Sequence, residues 1–365
     1  MTTRALISSN WLLLFIPVAV GLNRFDAHPL VVFIASALAI VPLAKLIGDA
    51  TEVLAALLGP AKGGMLSAAL GNAPEIIIGL FALKKGLVDM VKASITGSLV
   101  GNLLFGMGIA MFAGGLRFPR LAYDTRVTRV HSDLLMLAMF GLIVPAVFHL
   151  SATSEREISL EIAMVLFLVY LASVVYTLHS ENTSTDAPAP TETDQAGTEA
   201  RENVPEPGSR SRNKAIGVVT VATAGLAVMS EILTDAIGPA AAGLHLTPLF
   251  AGIFLLALVG NAAELFAAVR FARANQLDVS IGMTVGASTQ TALLVAPILV
   301  FAGFLLEQDM NLLFSTLELV AIVMSIAVIQ RTANSGTATW LEGLVLIAVY
   351  LMLGFGFFYL PHHAA

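Results

Sequence analysis

Cysteine is absent from these 365 residues and charge is scarce, with Asp, Glu, Lys and Arg together making up 12% of the chain. The lack of thiols excludes disulfides, thiolate metal centres and c-type haem, and by itself names no compartment. Scarce charge, set beside 57% hydrophobic residues and a mean hydropathy of +0.86, excludes a soluble domain. H-E-x-x-H, G-x-S-x-G and Walker A sequences are also missing, which removes the sequence support for an intramembrane hydrolase or an ATP-driven pump. The net charge of -6 is concentrated in one loop and points to no nucleic-acid partner. What is left is an all-α polytopic membrane protein.

Eleven apolar stretches are long enough, or nearly so, to cross a bilayer, which takes about 20 helical residues. They lie near 11–24, 29–47, 63–83, 93–115, 133–150, 158–178, 215–237, 248–271, 279–305, 311–329 and 340–359. The first is short and resembles a signal peptide behind Arg4. Retaining it places Arg117, Arg120, Arg126, Arg129, Arg210, Arg212, Lys214, Arg270 and Arg273 on one side, against Arg24, Lys84, Lys85, Lys92 and Arg156 on the other. By the positive-inside rule the amino terminus is then cytoplasmic and the carboxyl terminus outside.

The chain repeats itself. Gly71-Asn72-Ala73-Pro74-Glu75 recurs 189 residues later as Gly260-Asn261-Ala262-Ala263-Glu264, and in both copies a second glycine, Gly97 or Gly286, follows 26 residues after the first. Between the copies, residues 180–209 carry seven carboxylates against the single Arg201, with many Thr, Ser and Pro, and read as a disordered acidic linker without EF-hand spacing. The expected domains are a leading helix (1–28), a five-helix repeat (29–179), a cytoplasmic linker (180–212) and a second five-helix repeat (213–365). Because each repeat has an odd number of spans, the two enter the membrane in opposite directions, an inverted-topology arrangement that commonly binds its cargo where the halves meet.

Asn72 and Glu75 are three residues apart and share a helix face, as do Asn261 and Glu264. Ser98 and Asn102, four apart, add oxygens from the next helix of the first half, and Ser288, Gln290 or Thr291 from the second. These are hard oxygen donors with no thiol or imidazole among them, a set that suits calcium, with its about 6–8 oxygen ligands, better than zinc or copper. Glu75 and Glu264 are the expected metal ligands. Carboxylates at membrane depth are expensive, and their occurrence in matched contexts argues for function over ordinary structural pairing. Gly71 and Gly260 permit local unwinding that frees carbonyls, whereas Gly97 and Gly101 read as a small-xxx-small packing pair.

GNAPE and GNAAE, the intervening ASITGSLVGN (93–102) and GASTQTALLVAP (286–297) together resemble the cation/proton exchanger branch of the Ca2+:cation antiporter superfamily, from Pro29 to about Phe358. The resemblance implies one leading helix followed by two inverted five-helix repeats, and exchange of Ca2+ for H+ without a cofactor. The family often has serine where this chain has Gly101 and Ala287, and threonine where it has Pro74, a residue also reminiscent of the sodium-coupled branch. The readings to be separated are therefore a Ca2+/H+ antiporter in a bacterial or archaeal plasma membrane, a Na+- or K+-coupled calcium exchanger or monovalent cation/proton antiporter of the same fold, and, from another class, a passive cation channel.

Asp49 with Glu52, and Glu231 with Asp235, read either as entrance carboxylates or as solvated helix ends, with Lys45 one turn from Asp49. Glu318 falls inside the tenth stretch and calls for a polar partner. His131, His149 and His362-His363 sit at span ends or at the terminus rather than in a motif. The orientation is testable because no native thiol competes: cysteine at Ser184 should be labelled only from the cytoplasmic side and cysteine at Ala364 only from outside. Labelling of both from one side would overturn the odd number of spans.

Overall fold

The computed structural model describes residues 11–123, 125–148, 155–183, 209–333 and 335–360. A turn at Trp11–Leu14 leads into helix α1 (Phe15–Arg24). Helix α2 (Pro29–Gly71) starts with proline in its first turn, where the missing N–H costs nothing, and is capped by His28. There follow α3 (Ala73–Lys84), α4 (Val88–Gly115), α5 (Thr125–Phe148), α6 (Glu155–Thr183) and α7 (Ser209–Gly243). After them come α8 (Pro248–Gly260), α9 (Ala262–Ala272), α10 (Leu277–Leu305), α11 (Thr316–Ala333) and α12 (Trp340–Phe358). Thr247 caps α8, and Thr339 with Glu342 forms a capping box on α12. A two-residue antiparallel pair, β1 (Leu121–Ala122) with β2 (Thr337–Ala338), ties together the connections that precede α5 and α12.

Among the described residues six helices are long and apolar enough to span a membrane, and α8 with α9 makes a seventh if that pair, bent by 61°, is one span. Two expected boundaries move. Instead of ending near residue 47, α2 runs on through Asp49 and Glu52, so this pair is not at a helix end. Its backbone leaves helical geometry only at Gly59, where φ is +78°. A glycine accepts that angle without a Cβ clash, and Pro60 behind it disfavours the α conformation. The second difference is at the linker, whose expected ends, 180–183 and 209–212, are helical parts of α6 and α7; its middle lies outside the described residues, as do His149 and His362-His363.

Two large apolar cores form, beside a minor cluster of Ala50, Leu54 and Ala215. The smaller joins α1, α2 and α7, burying Ile40, Leu43 and Ile47 against Leu226, Met229, Leu233 and Ile237. The larger is built on α4 and α10, with Leu99, Leu103 and Met107 among Val285, Leu293 and Leu299, and α5, α6, α11 and α12 around them. Large apolar residues are left outside: Phe140 and Val147 on α5, Met164 and Leu168 on α6, and Leu341, Met352 and Phe355 on α12 are exposed. Such a surface suits hydrocarbon, where helices satisfy their own backbone groups.

Helices α4 and α8 touch backbone to backbone. A Cβ on Gly97 would collide with the Ile253 carbonyl oxygen, and one on Gly252 with Ala93 and the Met90 carbonyl. Gly101 has no such neighbour, so the packing reading holds for Gly97 and not for its partner. Gly97→Ala is therefore expected to destabilise the protein by about 1–3 kcal/mol through overpacking. Gly21→Ala, in open space, should stay within about 0.5 kcal/mol of the parent. Thermal melting in detergent measures both, and equal stabilities would refute the close contact.

Candidate functional site

Both motifs fall on helix breaks. Between α2 and α3 the backbone of Asn72 takes φ -97°, ψ 15°, and between α8 and α9 that of Asn261 takes φ -87°, ψ 2°. This bridge conformation interrupts the helix for one residue. Proline cannot be the common cause, since Pro74 follows the first break and Ala263 the second. The consequence is that Glu75 and Glu264 each lie in the first turn of a new helix. The positive end of the helix dipole and unpaired N–H groups favour an anion there.

The two motifs are knitted across the repeat rather than within it. Asn102 donates through Nδ2 to Asn261 Oδ1 at 2.8 Å and to Glu264 Oε2 at 3.4 Å. Asn261 in turn donates to Ser98 Oγ at 2.8 Å and to the Ala257 carbonyl at 2.8 Å. On the other side Asn72 donates to Gln290 Oε1 at 2.6 Å. Ser98, Asn72, Asn102 and Asn261 are all buried, as close hydrogen bonding of this kind requires. As drawn, Asn102 turns its amide nitrogen toward Glu264 and its oxygen away, an orientation set by the hydrogen bonds around it.

Glu75 packs against the opposite motif: a Cβ on Gly260 would lie 3.4 Å from its Oε1. Gly260 therefore lies directly beside the carboxylate. Its Oε2 is buried with no hydrogen-bond partner among the described residues, and Glu264 is the ionisable neighbour whose charge it feels. Neither carboxylate forms an ion pair with a described cationic side chain. Glu75, Ser94, Ser98, Gly260 and Thr291 line a small, partly open cavity. No three described His, Asp or Glu side chains cluster as a metal site, so any cation held here is met by two carboxylates and neutral oxygens.

Glu75, Glu264, Asn72, Asn261, Ser98, Asn102 and Gln290 are thus brought to one region of matched helix breaks. Ser288 is different: its hydroxyl donates to the Thr284 carbonyl of its own helix at 3.0 Å. Thr291 lines the cavity instead, and so does Ser94, which sequence reasoning missed. Its signal was its spacing of four from Ser98, which puts both on one face of α4. Of the expected entrance carboxylates, Asp235 is ion-paired with Lys85, whereas Asp49 and Glu52 are exposed on α2 within electrostatic reach of each other and Arg270 reaches Glu52. Glu231 is exposed on α7, short of the helix end. Glu318 finds its polar partners: it forms a capping box with Ser315 at the start of α11, and its other oxygen accepts from Thr96 at 3.0 Å.

The family model described as sodium/calcium exchanger protein matches residues 28–179 and 214–359. The chain belongs to that family. Within it the chain falls in the cation/proton exchanger branch, and it is a secondary transporter rather than an enzyme. A protein of Aphanothece halophytica named Ca(2+)/H(+) antiporter is 38% identical over 357 residues, covering 96% of each chain. One of Bacillus subtilis named Ca(2+)/H(+) antiporter ChaA is 35% identical over 333 residues, 90% of this exchanger and 92% of the relative. Among solved structures, that of native YfkE superposes with a TM-score of 0.80 at 32% identity, covering 94% of this exchanger and 97% of that chain.

If Asn261 joins Ser98 to Asn102 in this exchanger, its loss strands both. Asn261→Leu should destabilise the folded state by about 1–3 kcal/mol, the cost of leaving buried polar groups unsatisfied. Combined with Ser98→Ala in a double-mutant cycle, it should show a coupling of about 0.5–1.5 kcal/mol. Strict additivity of the two melting shifts would mean that the bond is not made.

Proposed function

We propose that this protein is a secondary antiporter that exchanges Ca2+ for H+ across a membrane, with Glu75 and Glu264 binding the calcium ion or protons in turn. The observation that carries the reading is the facing pair itself, one carboxylate from each repeat at the start of a broken helix, with no described cationic side chain ion-paired to either. It is supported by the Ca(2+)/H(+) antiporter names of the full-length relatives. Calcium between the two carboxylates is neutralised. When it leaves, two bare negative charges in a low-dielectric interior are costly, and protons replace the metal. An empty, unprotonated site crosses poorly, which favours exchange over leak. By charge alone, two protons per calcium is the minimum.

The remaining ligands in this reading are neutral. Ser98, Thr291 and Ser94 offer hydroxyl oxygens to the cavity. Asn72, Asn261, Asn102 and Gln290 hold the broken helices in register through their amides. The breaks also free carbonyls of the last turns of α2 and α8, a familiar source of cation ligands in transporters with discontinuous helices. Alternating access then consists of eleven spans, a leading helix and two inverted five-helix repeats, opening the site to one side and then the other. In that arrangement 29–179 and 213–365 are the repeats, 180–212 is a cytoplasmic linker, the amino terminus is cytoplasmic and the carboxyl terminus is outside. Asp49, Glu52 and Glu231, exposed along helices rather than buried, are suited to attract cations toward the entrances.

Glu75→Gln and Glu264→Gln should each abolish calcium uptake driven by an imposed pH gradient in sealed vesicles while the protein stays folded, since each removes an anionic ligand and a proton carrier. Because proton and metal compete for the same oxygens, wild-type calcium affinity should weaken as pH falls across about pH 8 to 5, and calcium binding in unbuffered solution should release protons. Glu75→Gln should reduce that release. Affinity that ignores pH, together with sodium-dependent flux, would move the chain to the sodium-coupled reading; calcium current without any pH or sodium gradient would make it a channel.

A further inference from the structure

The offset that carries Glu75 to Glu264 also carries Gly101 to Gln290. In one half of the site, then, Gln290 receives the amide of Asn72. In the other the matched position has no side chain, and a Cβ built on Gly101 meets no atom within 4 Å. A second cavity lies there, with room for a water-sized molecule, lined by Gly97, Gly101, Asn102, Phe105, Asn261 and Tyr350 among others. Phe105 stacks on Tyr350 at 5.0 Å, and Phe254 lies 5.3 Å from the same ring, an aromatic group beside the cavity. Asn102, only 1% exposed, sends its amide nitrogen to Asn261 and Glu264 and leaves Oδ1 buried with no partner among the described residues. An unsatisfied amide oxygen makes a small cavity suited to a water, whereas purely apolar cavities stay dry.

We propose that the cavity beside Gly101 is a structural water site, in which one water donates to Asn102 Oδ1 and so holds the Asn102 amide toward Glu264. The proposal rests on the reading of Glu75 and Glu264 as the cation site. The water takes the place that the Gln290 side chain occupies in the other half. It adds to the hydrogen bonds that Asn102 already gives Asn261 and Glu264, and so opposes the turned amide, whose oxygen would face the Glu264 carboxylate, acceptor against acceptor. The two halves are therefore unequal by construction: a fixed protein amide serves one, an exchangeable water the other.

Gly101→Ala and Gly101→Ser separate this from simple packing. Both add a Cβ in open space, and both remove a glycine from a helix interior, so both fold. Alanine fills the water's space with a methyl group, whereas serine brings a hydroxyl able to donate to Asn102. In full-length protein in detergent, Gly101→Ala should melt below Gly101→Ser and bind calcium about tenfold more weakly than wild type, while Gly101→Ser stays within about twofold, by titration calorimetry. In an Asn102→Leu background, with no amide left to hold, the two variants should melt alike. Equal calcium affinities for the alanine and serine variants, or a melting difference that persists in the Asn102→Leu background, would overturn the water site. Failure of the cation reading shows differently: wild type would bind no calcium, while the melting comparison, which needs no calcium, would still decide the water site.

Discussion

The candidate site depends on two carboxylates set in an apolar interior with no described basic side chain ion-paired to either. A buried charge of this kind is tolerable only if something else compensates it. Part of the compensation is built into the backbone, because each helix stops for one residue and restarts, so that Glu75 and Glu264 meet helix N-termini. In the proposed reading the rest comes from outside the protein, as a calcium ion or as protons in turn.

The duplication that supplies both carboxylates does not make their surroundings equal. Asn72 reaches Gln290, whereas Asn261 reaches Ser98 and Asn102. Glu75 lies beside Gly260, yet no atom of another element lies within 4 Å of a Cβ on Gly71. The motif residues were copied; their partners on α4 and α10 diverged. If the two carboxylates carry the exchange as proposed, their different hydrogen-bond environments make the two halves inequivalent in loading and release.

The matched spacing of the motifs made the two carboxylates, the membrane class and most of the helices legible in the sequence, because those follow from local composition and a period that a single chain displays. What lay beyond it was set by tertiary contacts. Nothing local says that α2 continues through Asp49 and Glu52, since the two charges interrupt the hydropathy while leaving helix propensity intact; the break waits for Gly59 and Pro60. Asp235 read as either an entrance group or a solvated helix end, and nothing local announced its pairing with Lys85, 150 residues away. The capping box of Ser315 with Glu318 was visible in principle, as a serine three residues before a glutamate, but an assumed span starting at 311 hid the helix start. Ser288, expected among the ligands, is not on the lining of the cavity at Glu75, and its hydroxyl bonds back to its own helix, a habit of serine within apolar helices that Ser94 shares.

The cavity at Glu75 lies where the two apolar cores meet. Ile78 and Leu256 on its wall belong to the core of α1, α2 and α7, while Ile95, Val295 and Leu299 belong to the core of α4 and α10. Each core is close-packed within itself, and close-packed groups move as bodies rather than deform. A small slide of one core against the other would therefore change the shape of this cavity before it disturbed either interior. The contact of α4 with α8 through Gly97 and Gly252 limits such a slide to directions that keep those backbones together. In the proposed reading, binding and access are joined at one place, because the boundary between the two cores passes beside Glu75.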